Sequence, residues 1–174
     1  MAKSKVEVKV RTMKVCDFNA VFSIDQQIRV RGQAITYASI TAEDIFNIHE
    51  DVRRLASPVS YVDFITRDMS GQLELGLVAE VEGEVRGFIL GRTVHVGEVP
   101  TEMGEISILG VAPDYQRRGI ATELVNTICK KFKDKGIETV RIQIDQRDKR
   151  LLSFFEHMGF KVRYLLEYCT KGDT

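Results

Sequence analysis

Cysteine is scarce in this sequence. Cys16, Cys129 and Cys169 lie far apart in 174 residues, with no CxxC pair and no histidine at ligand spacing. An odd, sparse set excludes a disulfide framework and a thiolate zinc site, and the expected setting is a reducing cytoplasm. Net charge is missing as well. The 25 lysines and arginines balance 25 aspartates and glutamates, which removes the electrostatic footprint of a dedicated nucleic-acid binder. No apolar run approaches the ~20 residues that would span a bilayer, so no membrane partner is expected. The alternation Val6-Glu7-Val8-Lys9-Val10 near the N-terminus reads as a strand rather than a signal-peptide core. Proline occurs only at Pro58, Pro100 and Pro113, each at an apparent element boundary. Repeats, low-complexity tracts and linkers are absent. A single domain over 1–174 is expected, burying roughly 70% of the surface its unfolded chain would expose.

What is present is a mixture of helical and strand periodicities. Residues 6–12 alternate as a strand. Asp17 is placed to cap a helix bearing Phe18, Val21, Phe22, Ile24 and Ile28, ending near Gly32. A second helix is predicted from Thr41, with Ile45, Ile48, Val52 and Leu55 on one face. A third is predicted from Ser57-Pro58 to Gly71, although Tyr61–Thr66 also fits a strand. Two β-rich runs, Leu75–Val81 and Val85–Gly91, flank Glu82-Gly83-Glu84 and read as a hairpin. Strands follow at Glu105–Val111, Val140–Ile144 and Val162–Tyr168. A helix over 117–135 stops at Gly136, and another over Lys149–Met158 stops at Gly159. This order predicts a mixed, mostly antiparallel sheet with one parallel crossover around the helix at 117–135.

The most informative stretch is Gln116-Arg117-Arg118-Gly119-Ile120-Ala121, between a strand and a long helix. A helix start offers unpaired N–H groups and the positive end of the dipole, and a glycine there lets backbone approach a ligand. Those are the needs of a pyrophosphate site. By themselves they fit equally a close-packing glycine beside solvated arginines. Along the preceding strand, a period of two puts Glu105, Ser107 and Leu109 on one face.

Three patterns in order over residues 75–168 carry a resemblance. They are the hairpin with Ala79-Glu80, Gly83, Val85 and Gly87-Phe88; the run Gly110-Val111-Ala112-Pro113 followed by Gln-x-x-Gly-x-Ala; and a short helix ending at Gly159-Phe160. Together they resemble the GNAT N-acetyltransferase superfamily. The resemblance implies an α+β fold, a three-layer α/β/α arrangement around a central mixed sheet. It implies transfer of an acyl group, acetyl above all, from acetyl-CoA to a primary amine without a metal. Under it, backbone amides from Gln116 through Arg117, Arg118, Gly119 and Ile120 to Ala121, with Thr122, would hold the pyrophosphate. Leu109, Gly110 and Val111 would run beside the pantetheine arm, with the family's strand bulge expected at Gly110. Asp148 and Phe154 would lie near the cofactor arm, Asp148 being equally suited to cap the helix from Lys149.

For the chemistry, the resemblance points to a base on the strand before the loop. Ser107 stands at a position where some members keep glutamate, and Glu105 could act through water or be a solvated strand-start residue. The family's frequent acid, a tyrosine four residues before the Gly-Phe pair, is replaced here by Phe155, leaving Tyr164 or Tyr168 as candidate donors. The acceptor is expected to meet the first two helices, with Asp25, Arg29, Arg31 and Glu43 nearby. A protein N-terminus, a polyamine, an amino acid and an aminoglycoside all fit. A homodimer through the last strands is expected by analogy with relatives. The rival reading, favoured by Phe155, is a CoA-binding sensor or interaction module without turnover.

Overall fold

Among the described residues, alternating apolar residues build five strands into one sheet, in the order β1 (Lys9–Thr12), β2 (Leu77–Val81), β3 (Glu84–Val96), β4 (Thr101–Val111) and β5 (Val140–Ile142). The computed structural model describes residues 7–30, 74–96, 101–144 and 148–162. The helices expected over 41–55 and 57–71 and the last strand beyond 162 fall outside the described residues.

Neighbours β1 to β4 pair antiparallel, and β4 pairs parallel with β5 across a crossover through α2 (Ile120–Asp134). The mixed, mostly antiparallel sheet expected from the element order is what forms. The hairpin turn is Glu82-Gly83 with φ of 54° and 80°, positive at both central residues, as a two-residue turn matched to strand twist requires.

Each face of the sheet carries a core. On one, α1 (Phe18–Val30) packs Val21, Ile24 and Ile28 against Val78, Phe88, Leu90 and Ile108. On the other, α2 packs Ile120, Leu124, Val125, Ile128 and Phe132 against Leu77, Ala79, Ile89, Ile106 and Leu109. The short helix α3 (Lys149–His157) adds Phe155 to that second core. This is the three-layer arrangement. Among the described residues no helix is long and apolar enough to cross a membrane.

Asp17 acts differently from its expected role as the cap of α1. Val15–Asp17 forms a separate 3-10 turn, and Asp17 Oδ2 accepts from the Lys14 N–H at 2.7 Å. Both its oxygens also accept from Arg11, at 2.6 and 2.8 Å. The side-chain bond from Arg11 holds the Asp17 carboxyl below its ordinary value of 3.8, against the opposing effect of burial. A carboxyl depressed in the folded state stabilises the fold above its unfolded value, and that contribution is lost as pH falls toward the folded one. Asp17→Asn is therefore expected to lower stability at pH 7 and to flatten the stability profile below about pH 4, as read by urea melts across pH 2–7.

Candidate functional site

The strand β4 is longer than its partner β5, and the stretch of β4 past their ladder is the candidate cleft. The parallel ladder covers only Gly104↔Val140, Glu105↔Arg141 and Ile106↔Ile142, with Gly104 N donating to Thr139 O at 2.9 Å. Among the described residues the ladder ends at Ile142, while β4 continues to Val111. The Ala112 N–H bonds back to Arg86 O at 2.8 Å, so Gly110 and Ala112 face β3. Leu109 and Val111 therefore turn their N–H and C=O groups away from β3, to the side where no described strand pairs with them. These are the groups a strand-like amide chain could pair with, which is what the resemblance asked of Leu109 and Val111.

The bulge lies elsewhere than expected. On β3 and β4 the register runs Leu90↔Ile108 and then Gly91↔Ile106. Ile106 and Ser107 together oppose Gly91, so Ser107 is the extra residue and Gly110 stays in regular register. This overturns the shared face read from a period of two. A one-residue insertion flips the alternation: Leu109 packs on the α2 side, whereas Glu105 follows Gly104, whose added Cβ would meet Phe132 of α2, and so faces the other way.

Gly110 has a different duty. A Cβ there would stand 2.5 Å from the Phe88 ring. Gly110→Ala is expected to cost about 1–3 kcal/mol of stability by overpacking, and Phe88→Leu is expected to recover much of it. Thermal melts of the single and double variants check this.

At the open end of the cleft the chain passes through a 3-10 turn, Pro113–Tyr115, into the Gln116–Gly119 loop. Gln116 Nε2 donates to Val111 O at 3.2 Å and ties the loop to the strand end. Arg117 and Gly119 both take left-handed φ, 64° and 87°. Gly119 is the N-cap of α2, and the first helical backbone bond runs from Glu123 N to Gly119 O at 3.0 Å. The N–H groups of Ile120, Ala121 and Thr122 precede that bond and have no acceptor within the helix. Among the described residues, a Cβ at Gly119 would meet no atom within 4 Å beyond its chain neighbours. The glycine is therefore not there for close packing. It serves the positive φ. Beside them Tyr115 is held between two guanidiniums, with Arg86 and Arg118 carbons 4.5 and 4.9 Å from its ring centre. Arg118 also donates to Asp114 O at 3.0 Å, so it is built into the loop rather than loosely solvated. The Nε atoms of Arg86 and Arg118 are buried without a partner. The donor-rich helix start, open space and two unsatisfied guanidinium nitrogens fit a doubly charged diphosphate.

At the closed end, Glu105 is neither solvated nor at a strand start. It is only 5% exposed and sits in register between Arg92 of β3 and Arg141 of β5. Arg92 Nε donates to Oε1 and Arg141 Nε to Oε2, each at 2.7 Å. Both oxygens of this candidate base are thus occupied. Ser107 is also 5% exposed, and its Oγ has no hydrogen-bond partner, an exception that calls for an explanation in a well-made interior.

Among the remaining expected site residues, Asp148 caps α3, its Oδ1 accepting from Leu151 N at 3.0 Å. Phe155 is buried in the core with its ring edge-on to Phe154 and Phe160, centres 5.0 and 5.1 Å away. Phe154 is half-buried against the same core. Tyr164 and Tyr168 lie outside the described residues. Sequence reasoning missed Arg92 and Arg141. Only strand register joins residues 92, 105 and 141, and no local pattern announces it.

Known proteins share the family pattern and the fold. The model of the acetyltransferase (GNAT) family matches residues 42–160. The fold is similar to that of the PaiA N-acetyltransferase from Thermoplasma acidophilum in complex with coenzyme A, with 23% identity, TM-score 0.62, and 90% and 91% of the two chains covered. It is similar to the ribosomal-protein-S18-alanine N-acetyltransferase from Escherichia coli, with 16% identity, TM-score 0.62, and 91% of this chain and 80% of that one covered. A transcriptional regulator from Bacillus halodurans C-125 is also similar, with 16% identity, TM-score 0.65, and 95% and 100% covered.

Proposed function

The chain belongs to the acetyltransferase (GNAT) family, and from that premise we propose that it moves an acetyl group from acetyl-CoA to a primary amine by direct attack. The observation that carries this reading is the join of β4 to α2. The amides of Ile120, Ala121 and Thr122 precede the first helical bond at a left-handed Gly119, and β4 runs to Val111 past its described pairing with β5. In this reading the diphosphate rests on the helix start. The pantetheine amides pair with Leu109 and Val111, and the thioester reaches toward the closed end of the cleft.

The neutral amine nitrogen forms a bond to the acyl carbon, and the C–S bond breaks with its electron pair leaving on sulfur. Edge-facing N–H groups of β4 stabilise the oxyanion between these events. The proton released by nitrogen passes to water, because both Glu105 oxygens already accept from guanidiniums. Glu105 then acts at one remove. The unpartnered Ser107 hydroxyl is free to hydrogen-bond the reacting centre. Phe155 cannot protonate the thiolate, so Tyr164 takes that role, or the thiolate departs unaided as a leaving group of thiol pKa near 8.5.

Release of free thiol from acetyl-CoA with a panel of amines tests the proposal. Turnover with at least one amine supports it. Heat on titration with CoA and no turnover with any amine supports the rival, a CoA-binding sensor. Two observations favour that rival: hydrocarbon at Phe155, and a structural neighbour described as a transcriptional regulator.

A further inference from the structure

We propose that the acceptor amine carries a carboxylate, and that Arg92 and Arg141 recognise it at the closed end of the cleft. The inference rests on the acyl-transfer reading and names its substrate class. One guanidinium would neutralise Glu105. Here two are held on it, Arg92 on Oε1 and Arg141 on Oε2, which leaves a surplus positive charge on three adjacent strands. Each arginine spends its Nε and Nη2 on the glutamate and keeps Nη1 outside the pair. The carboxylate is sunk, with its side chain 6% exposed, while the arginine side chains are 49% and 37% exposed. The buried acid thus holds two guanidinium forks on side chains that stay partly exposed. A planar group with two oxygens matches such forks better than a point charge or a neutral amide does.

Position supports the same reading. Glu105↔Arg141 and Ile106↔Ile142 are the last pairs before β4 and β5 separate. The charged trio therefore stands beside the cleft apex, where the thioester ends in the proposed reading. It lies on the sheet face away from α2, the side left for an acceptor when the coenzyme is anchored at the start of α2. The partnerless Ser107 hydroxyl lies two residues along the same strand. A trio that only glued strands together would need neither the second guanidinium nor the exposed edges.

The test uses the full chain and pairs each free acid with its carboxamide: glycine, β-alanine and 4-aminobutyrate against their amides, with thiol release as the readout. The carboxamides are the weaker bases and hold more neutral amine, so a preference for the acids runs against intrinsic reactivity. For at least one pair, kcat/KM is expected to favour the acid by on the order of 10- to 100-fold, the worth of a hydrogen-bonded charge. Arg92→Gln and Arg141→Gln, each leaving one guanidinium on Glu105, are expected to raise KM for the acid. The same variants should bring the acid-over-amide ratio of kcat/KM toward one and leave the Kd for CoA unchanged. Equal use of acid and amide by the unmodified protein overturns the inference. So does an equal fall for both in the variants, which would mark a structural trio, and so does CoA binding with no acid turned over. Absence of CoA binding would instead remove the acyl-transfer reading on which the inference stands.

Discussion

Replacing Gly119 by alanine is expected to weaken CoA binding by roughly tenfold or more, equivalent to at least ~1.4 kcal/mol. The fold should lose only about 1–2 kcal/mol, the cost of a left-handed backbone for an L-residue. The two effects have separate origins. Gly119 holds φ at 87° and an added Cβ there would touch no atom of the described residues beyond its chain neighbours, so the structural penalty among them is strain. The added carbon would stand at the residue that caps α2, beside the helix start where the diphosphate is proposed to rest. Gly119→Asn separates the contributions. Asparagine tolerates left-handed φ far better than alanine, yet it is bulkier. A stable Asn variant with lost affinity would place the ligand at this loop. Calorimetry with CoA beside urea melts gives both numbers, and unchanged affinity in both variants would remove the proposed site.

Phe132→Ala is expected to cost about 3–5 kcal/mol, toward the upper end for a buried phenylalanine. The ring is fully buried and lies over two glycines. A Cβ on Gly91 would come within 2.9 Å of it, and one on Gly104 within 2.8 Å. The sheet beneath therefore has no side chains there to collapse into the void, and the cavity stays open. Because Phe132 anchors the C-terminal half of α2 while the proposed coenzyme contacts lie at its N-terminus, the loss should fall on stability. Affinity for CoA measured well below the melting temperature should change little. Denaturant melts and calorimetry on the same preparation check both halves, and a loss of stability below 1 kcal/mol would mean that α2 is held by other contacts.

Local chemistry was legible in the residues alone. Positive φ needs glycine, helix starts expose amides, and apolar spacing of 3.6 marks α2. From these the Gln116–Ala121 loop, the hairpin at Glu82-Gly83 and the stops at Gly136 and Gly159 could be read before any coordinates. Asp148 as the cap of α3 was likewise one of two local readings, and the structure holds that bond.

What required the tertiary structure was every relation set by strand register. The alternation rule failed at Ser107 because a bulge adds one residue and reverses the faces beyond it, and nothing within Glu105–Val111 announces where that insertion falls. Gly110 looked suited to it, but its hydrogen stands where the Phe88 ring needs room. Asp17 was drawn away from capping α1 by Arg11, a partner six residues earlier on β1. Glu105 changed from a candidate base to a clamped acid for the same kind of reason. Its two partners come from strands separated in sequence by 13 and 36 residues, and only the lateral pairing of β3, β4 and β5 brings them together. The sequence by itself determined where backbone amides would be free and what each residue could do chemically. The sheet decided which charges meet, because hydrogen-bond register acts across the chain rather than along it.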